Sequence, residues 1–442
     1  MIRKFLYKFF SLTESGTNLK TEIIAGCSTF AAMSYVLAVN PAILAEAGMD
    51  KATLVTVTAL AAAIGCFLMG FFAKLPVALA PTMGTNTYFA VVICVGMGLN
   101  WREALALVFY NGIFFLLISI TGIRKKLIMG VPRALQIGLQ TGIGMFIAFL
   151  GLQSSKLVID NPATLVMGGI LSSPECLYAI FGIALLSVLI CRKNNAAVII
   201  SIAALTVLGF FVTDSNGGRI ATVPTGVFSM PHGISETFMQ LDFLYPFREP
   251  AKAIPVVFIL LMLDLLDTMA TVIAMARAGG MLRKDGTFKN MGRALTADAT
   301  ATIAGAVLGT STTGAYVESS AGIEAGGKTG LTAIVTGILF ILALFLSPLI
   351  ECVPAAATAP ALIIIGILMM RAFKDVDFSD VAVVIPVFIC MIMIAFTFKI
   401  SEGFAFGLIA YVFLFCITGR AKKITVETWF LFAMMCAFIC SI

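Results

Sequence analysis

Apolar runs of helical length recur along the whole chain, at about 23–44, 52–73, 77–97, 103–121, 134–152, 176–190 and 196–212, then 254–276, 293–309, 311–327, 329–350, 355–371, 381–397 and 402–418. Most are long enough to cross a hydrocarbon layer of ~30 Å as a helix rising 1.5 Å per residue. Two of them are interrupted. Segments 76–87 and 309–320 place prolines, glycines and hydroxyls where a lipid-facing helix would not, and so predict broken spans that line a site near mid-membrane. A last run, about 427–441, is short for a crossing and predicts an interfacial or re-entrant helix.

The polar segments between runs set the topology. Arg3, Lys4, Lys8 and Lys20 precede the first run, Arg124, Lys125, Lys126 and Arg133 follow the fourth, and Arg192 with Lys193 joins the sixth to the seventh. By the positive-inside tendency these turns are cytoplasmic, which leaves residues 213–251 outside, where Asp214, Arg219, Glu236, Asp242, Arg248 and Glu249 nearly cancel. Within that loop, Ile234 to Phe243 reads as a short interfacial amphipathic piece. The second half repeats the alternation, with Arg277, Arg283, Lys284, Lys289 and Arg293 on the same side as Arg371, Lys374, Arg420, Lys422 and Lys423. Seven spans followed by seven more invert the second unit, so the expectation is an all-α integral membrane protein of fourteen segments. The first repeat is 20–212, the external loop 213–251, the second repeat 252–418 and the C-terminal tail 419–442, all in one membrane domain spanning 1–442.

Composition agrees with this reading. Of 442 residues 60% are hydrophobic and 12% charged, and mean hydropathy is +1.04, whereas soluble domains carry about a quarter charged residues. The net charge of +6 is dispersed among the inter-span turns, so no nucleic-acid partner is expected; the partner is membrane lipid. No cleavage-like pattern precedes the first run, so no signal peptide is expected. The ten cysteines, Cys27, Cys66, Cys191 and Cys416 among them, lie in or beside apolar runs without metal-ligand spacing and read as buried small hydrophobes. His232, the one histidine, reads as a solvated loop residue.

Candidate chemistry lies inside the apolar runs. Thr29, Ser34 and Tyr35 in the first run either line a cavity or, for the two aliphatic hydroxyls, bond back to their own helix. Thr82, Thr85, Asn86 and Thr87 occupy the first interruption, and Thr312, Thr313 and Glu318 the second. Asp264 and Asp267, three residues apart on one helix face, are costly in an apolar run unless hydrogen-bonded, protonated or facing a wet cavity. Both read as candidates for substrate or proton handling, with a packing role as the alternative for Asp264. Glu318 reads as a carboxylate that accepts two donors from a flat heterocycle, or as a cap for its own broken helix. Glu324 and Lys328, four apart, read as a local ion pair, and the glycine-rich run 322–330 lacks the order of a phosphate-binding loop. No metal set or nucleophile motif is present, so neither an enzyme nor a cofactor is expected.

Four stretches carry a family resemblance: Thr29-Phe30-Ala31-Ala32-Met33-Ser34-Tyr35 with Val39-Asn40-Pro41; Ala80-Pro81 with Met83-Gly84, Asn86 and Tyr88-Phe89-Ala90; Asp264-Leu265-Leu266-Asp267-Thr268; and Gly309-Thr310-Ser311-Thr312-Thr313 with Tyr316, Glu318-Ser319 and Gly326-Gly327-Lys328-Thr329-Gly330. In these the chain resembles the xanthine/uracil permease, or nucleobase:cation symporter, superfamily, and within it the AzgA-like branch of adenine and guanine/hypoxanthine permeases. The resemblance implies two inverted seven-segment repeats split into core and gate domains, with short strands in the third and tenth segments. It implies proton-coupled purine uptake in the plasma membrane, often as a homodimer, and the basic residues before the first run put the N-terminus in the cytoplasm. It places the family carboxylates on Asp267 and Glu318, with Thr271 one turn beyond Asp267.

The chain departs from the family pattern where Thr82, Thr85 and Thr87 stand at positions usually glycine, leucine and alanine, and where Gly314 replaces a common threonine or serine. These changes bear on which base is carried. Xanthine, uracil, or an anion carried by the same architecture are the alternatives.

Overall fold

Short polar side chains fix where the helices begin. Asn18 accepts the Thr21 N–H at 3.0 Å, Asp50 accepts that of Thr53 at 2.7 Å, and Ser173 accepts that of Cys176 at 3.3 Å with Pro174 at the first helical position. The computed structural model describes every residue except 1–6, 122–130, 163, 193, 195, 216, 225, 282–287, 289, 398–399 and 441–442. Arg3, Lys4, Arg124, Lys125, Lys126, Lys193, Arg283, Lys284 and Lys289, much of the charge used to assign sides, lie outside the described residues.

The first half runs α1 (Leu19–Met33), α2 (Val36–Ala45), α3 (Lys51–Phe67), β1 (Leu79–Pro81), α4 (Met83–Thr87), α5 (Trp101–Thr121), α6 (Arg133–Ser154), β2 (Val158–Asn161), β3 (Leu165–Gly168), α7 (Pro174–Cys191) and α8 (Ala197–Gly209). The second runs α9 (Tyr245–Arg248), α10 (Pro250–Ala278), α11 (Met291–Leu308), β4 (Thr313–Ala315), α12 (Ser319–Glu324), α13 (Gly330–Ala343), α14 (Ser347–Glu351), α15 (Ala355–Met369), α16 (Val381–Thr397), α17 (Ile400–Ile417) and α18 (Val426–Cys440). Seven helical stretches among the described residues are long and apolar enough to cross a membrane. Shorter apolar helices include Met83–Gly96, Ala197–Gly209 and Val381–Thr397.

The packing falls into two groups. α6 lies against α15 and α16, and α16 against α17, whereas α13 packs on α1 and α3, and α11 on α5 and α3. The α6–α15 crossing is close because Gly144 and Gly366 meet backbone to backbone. A Cβ on Gly366 would come within 2.4 Å of the Gly144 carbonyl oxygen, so small residues hold the helices together where lipid supplies no hydrophobic drive. In the other group, buried Glu22 of α1 accepts the N–H of Lys328 at 3.0 Å, the N–H of Thr332 at 3.2 Å and the Thr332 hydroxyl at 2.7 Å. Three donors satisfy one carboxylate and tie α1 to the start of α13. Glu22→Ala should lower stability by about 2–4 kcal/mol and Glu22→Gln by less, read as thermal inactivation in detergent; equal melting of all three proteins would refute this tie.

Several sequence expectations change. The first span, expected as one run over 23–44, is not one continuous helix: it breaks at Ser34 and Tyr35, restarts at Val36 and carries Pro41 inside it to Ala45, losing one ladder bond. Residues 158–168 form an unexpected hairpin, β2 against β3. Ile234 to Phe243 is no amphipathic helix. It is a turn bonded to the end of α11, with the Thr237 hydroxyl donating to the Leu308 carbonyl at 2.9 Å and the Met239 N–H to that of Val307 at 2.9 Å. Glu324 and Lys328 make no ion pair among the described residues, because α12 stops at Glu324 and Gly326 turns the chain at φ +100°. Cys27, Cys191 and Cys416 are exposed rather than buried, as small apolar side chains are when the surroundings are lipid. His232 is half exposed, with Nε2 3.3 Å from Glu351 Oε1.

Candidate functional site

The two polar interruptions meet. β1 and β4 pair antiparallel, Leu79 opposite Ala315, Ala80 opposite Gly314 and Pro81 opposite Thr313. The pairing extends at both ends, from the Thr82 N–H to the Thr312 carbonyl at 3.0 Å and from the Tyr316 N–H to the Ala78 carbonyl at 3.1 Å. Strands of three residues would be marginal alone. They persist here because side chains close the remaining backbone groups: the Ser319 hydroxyl accepts the Ala78 N–H at 3.0 Å and the Tyr316 hydroxyl donates to the Pro81 carbonyl at 2.5 Å.

Behind the strands lies a buried polar network. The Asn86 amide donates to Asn40 Oδ1 and accepts the Ser311 hydroxyl. Asn40 donates in turn to Thr58 Oγ1 at 2.7 Å. Thr82, Thr85 and Thr312 share a hydroxyl cluster between α4 and β4. Thr302 bonds the Thr313 carbonyl at 3.0 Å. Asn86, Thr312 and Thr313 are all buried; the side chains of Asn86 and Thr312 serve this network, whereas Thr313 joins it through its backbone and its hydroxyl has no partner among the described residues.

In front of the strands a cavity of about 430 Å³ opens. Tyr35, Thr82, Asp267, Thr271, Tyr316 and Glu318 contribute its polar wall, and Gln136, Leu139, Gln140, Ile143, Ile365 and Leu368 the wall opposite, from α6 and α15. The Tyr35 hydroxyl, freed by the break between α1 and α2, donates to Glu318 Oε1 at 2.5 Å. Glu318 does not cap α12 with its side chain, and it lines the cavity. Asp267 is exposed into the cavity from α10.

The remaining expected residues are placed elsewhere. Asp264 is buried and accepts the Asn111 amide of α5 at 2.5 Å, the packing alternative. The Ser34 hydroxyl bonds back to the Ala31 carbonyl at 3.4 Å, and buried Thr29 faces Gly322. None of these three lines the cavity. Asp298 stands outside the residues expected from the sequence. It is buried on α11, takes the Thr268 hydroxyl at 2.7 Å on one oxygen and has no partner for the other. Its signal was present, an ionisable group inside the run 293–309. Gln136 and Gln140 stand outside that set too, being uncharged. No cluster that could hold a metal occurs among the described residues.

Gly314 is explained by Thr82. A Cβ at 314 would lie 2.7 Å from Thr82 Cγ2 and 3.8 Å from the unpartnered Asp298 oxygen, so the methyl group of Thr82 fills the space that a side chain on β4 would need. Gly314→Ala should cost about 1–3 kcal/mol as overpacking. Thr82→Gly in the same chain should return most of it, and failure of that rescue in a thermal-inactivation assay would refute the pairing.

Comparison with known proteins agrees with this architecture. The chain is 42% identical to a putative permease of Methanocaldococcus jannaschii, covering 96% of this chain and 95% of the relative. It is 39% identical to the adenine permease AdeQ of Escherichia coli, covering 95% and 92%. It is also 39% identical to the guanine/hypoxanthine permease PbuG of Bacillus subtilis, covering 94% and 95%. Among solved structures, the transmembrane domain of the cyanobacterial bicarbonate transporter BicA superposes with a TM-score of 0.64 at 15% identity, covering 89% of this chain and 97% of that one. SLC26A9 superposes with a TM-score of 0.62 at 11% identity, covering 90% and 66%. Both share the fold. A sequence model of the xanthine/uracil permease family matches residues 20–406, and the chain belongs to that permease family as a multi-pass membrane transporter rather than an enzyme.

Proposed function

We propose that the chain imports purine nucleobases, adenine, guanine or hypoxanthine, by proton-coupled alternating access across the plasma membrane, with its N-terminus in the cytoplasm. The observation that carries this reading is the placing of Glu318 and Asp267 on one wall of a cavity beside the paired strands. Its volume falls within the roughly 300–1,000 Å³ of small-molecule sites. Ionised carboxylates accept hydrogen bonds only, so they suit the N–H groups of a base. The names of the adenine and guanine/hypoxanthine permeases support the same class of substrate.

In this reading the chain has fourteen segments, with 20–212 and 252–418 as inverted repeats, 213–251 as the external loop and 419–442 as a tail. The two strand-bearing interruptions are its broken third and tenth spans. The group built on α6, α15, α16 and α17 is the gate, and the rest is the core that carries the carboxylates. Thr82 presents its hydroxyl oxygen to the base as an acceptor, Asn86, Thr312 and Thr313 hold the strands that present it, and Tyr35 orients Glu318. Asp267 carries the coupling proton, with Asp264 beside it, and a homodimer is the assembly.

An anion transporter of the same architecture is the competing reading, since the BicA domain shares the fold. The cavity wall weighs against it: among the described residues its lining includes two carboxylates and no lysine, arginine or histidine. Uptake of labelled adenine, guanine, hypoxanthine, xanthine and uracil into transport-deficient cells separates the readings. Saturable purine uptake that falls when the pH gradient is collapsed is expected. Uptake of xanthine or uracil alone, or of no base at all despite surface expression, would overturn the purine reading.

A further inference from the structure

Across the cavity from the carboxylates, α6 presents an apolar surface broken by two amides one turn apart, Gln136 and Gln140. Gln136 is committed, its Nε2 donating to the Val131 carbonyl at 2.8 Å. Gln140 is exposed and makes no hydrogen bond among the described residues, although Leu139, Ile143, Ile365 and Leu368 around it are aliphatic. The tyrosine hydroxyls of the cavity are also committed, Tyr35 to Glu318 and Tyr316 to the Pro81 carbonyl. Thr82 is engaged with Thr85 and Thr312. Gln140 therefore holds the uncommitted side-chain N–H donors of an amide, together with an acceptor, in a cavity whose opposite wall offers carboxylates that only accept.

This arrangement matters because a purine is two-faced along its rim. A carboxylate takes the ring N–H, and the exocyclic edge at the far end of the base then meets the α6 wall. An amide matches an amino-purine at that edge, accepting from the exocyclic amino group while donating to the neighbouring ring nitrogen, as glutamine does to adenine in nucleic-acid recognition. On the N7 side of the exocyclic group, the side used in that pairing, an oxo-purine offers two acceptors, its carbonyl oxygen and N7, and leaves the amide oxygen facing one of them. Building on the purine reading above, we infer that Gln140 is a specificity-determining residue that reads the exocyclic edge of the base and makes this transporter favour adenine over hypoxanthine.

The test measures KM and maximal rate for labelled adenine and hypoxanthine in transport-deficient cells expressing the full chain, its Gln140→Leu variant or its Gln140→Glu variant, with surface protein quantified. The wild type should favour adenine. Gln140→Leu should raise the adenine KM about tenfold and shrink the preference by a similar factor, with the maximal rate within about twofold. Gln140→Glu keeps the shape and the acceptor but loses the donors, so it should weaken hypoxanthine more than adenine. A wild type that favours hypoxanthine, or an adenine-to-hypoxanthine KM ratio unchanged in both variants, including an equal loss for both bases, would overturn the assignment while leaving purine transport standing. Absence of saturable wild-type uptake would instead overturn the purine reading, and this inference with it.

Discussion

Glu318→Gln should reduce saturable purine uptake by about 10- to 100-fold, because a hydrogen bond to a charged group is worth roughly 1.5–3 kcal/mol. The substitution preserves shape, and Tyr35, now 2.5 Å from the carboxylate, retains an oxygen to donate to. What changes is the second oxygen, which becomes an N–H donor facing the N–H of the base. The loss should appear in KM and in competition by unlabelled base alike. Tyr35→Phe should have a smaller effect of about tenfold, since it removes the orienting bond and leaves the acceptor. Near-normal uptake by Glu318→Gln at normal surface level would remove Glu318 from the site.

Asp267→Asn should uncouple transport. A neutral amide neither gains nor releases a proton, so accumulation against a gradient should stop while exchange of internal for external base continues. One proton moving through ~100 mV carries about 2.3 kcal/mol, enough for a gradient of roughly 50-fold. The variant should therefore level off near equal concentrations inside and out, where the wild type concentrates its substrate. The exposure of Asp267 to the cavity on α10 motivates the assignment. Buried Asp264, occupied by the Asn111 amide at 2.5 Å, should when changed to asparagine reduce the amount of folded protein more than the coupling. Retained concentrative uptake in Asp267→Asn would move the proton to another group.

The broken elements were legible because their residues contradict their surroundings. Pro76, Pro81 and the threonines of both interruptions are out of place in apolar runs, and the two interruptions pair as strands, with Pro81 opposite Thr313. Asp267, Glu318 and Tyr35 were legible for the same reason, as polar groups at membrane depth that meet at the cavity. Asn86, Thr312 and Thr313 looked like the cavity residues beside them. Sequence offers no means to tell a polar side chain that faces a substrate from one buried behind a strand, and in the structure Asn86 and Thr312 bond to neighbouring side chains while Thr313 joins through its backbone to Thr302. Gln140 was silent because a glutamine near the start of a helix reads as an ordinary polar residue. Its facing became visible only once α6 was packed against α15 through Gly144 and Gly366. The hairpin of β2 and β3 and the turn at Thr237 have no periodicity long enough to announce them.

The central claim, that the Glu318 and Asp267 wall binds a purine and couples it to a proton, is tested most directly with the purified protein in proteoliposomes. An inward-directed pH gradient should drive saturable accumulation of labelled adenine, with guanine and hypoxanthine as competitors, and dissipating the gradient should release it. Bicarbonate or chloride flux with no purine uptake, or purine accumulation that ignores the pH gradient, would contradict the account.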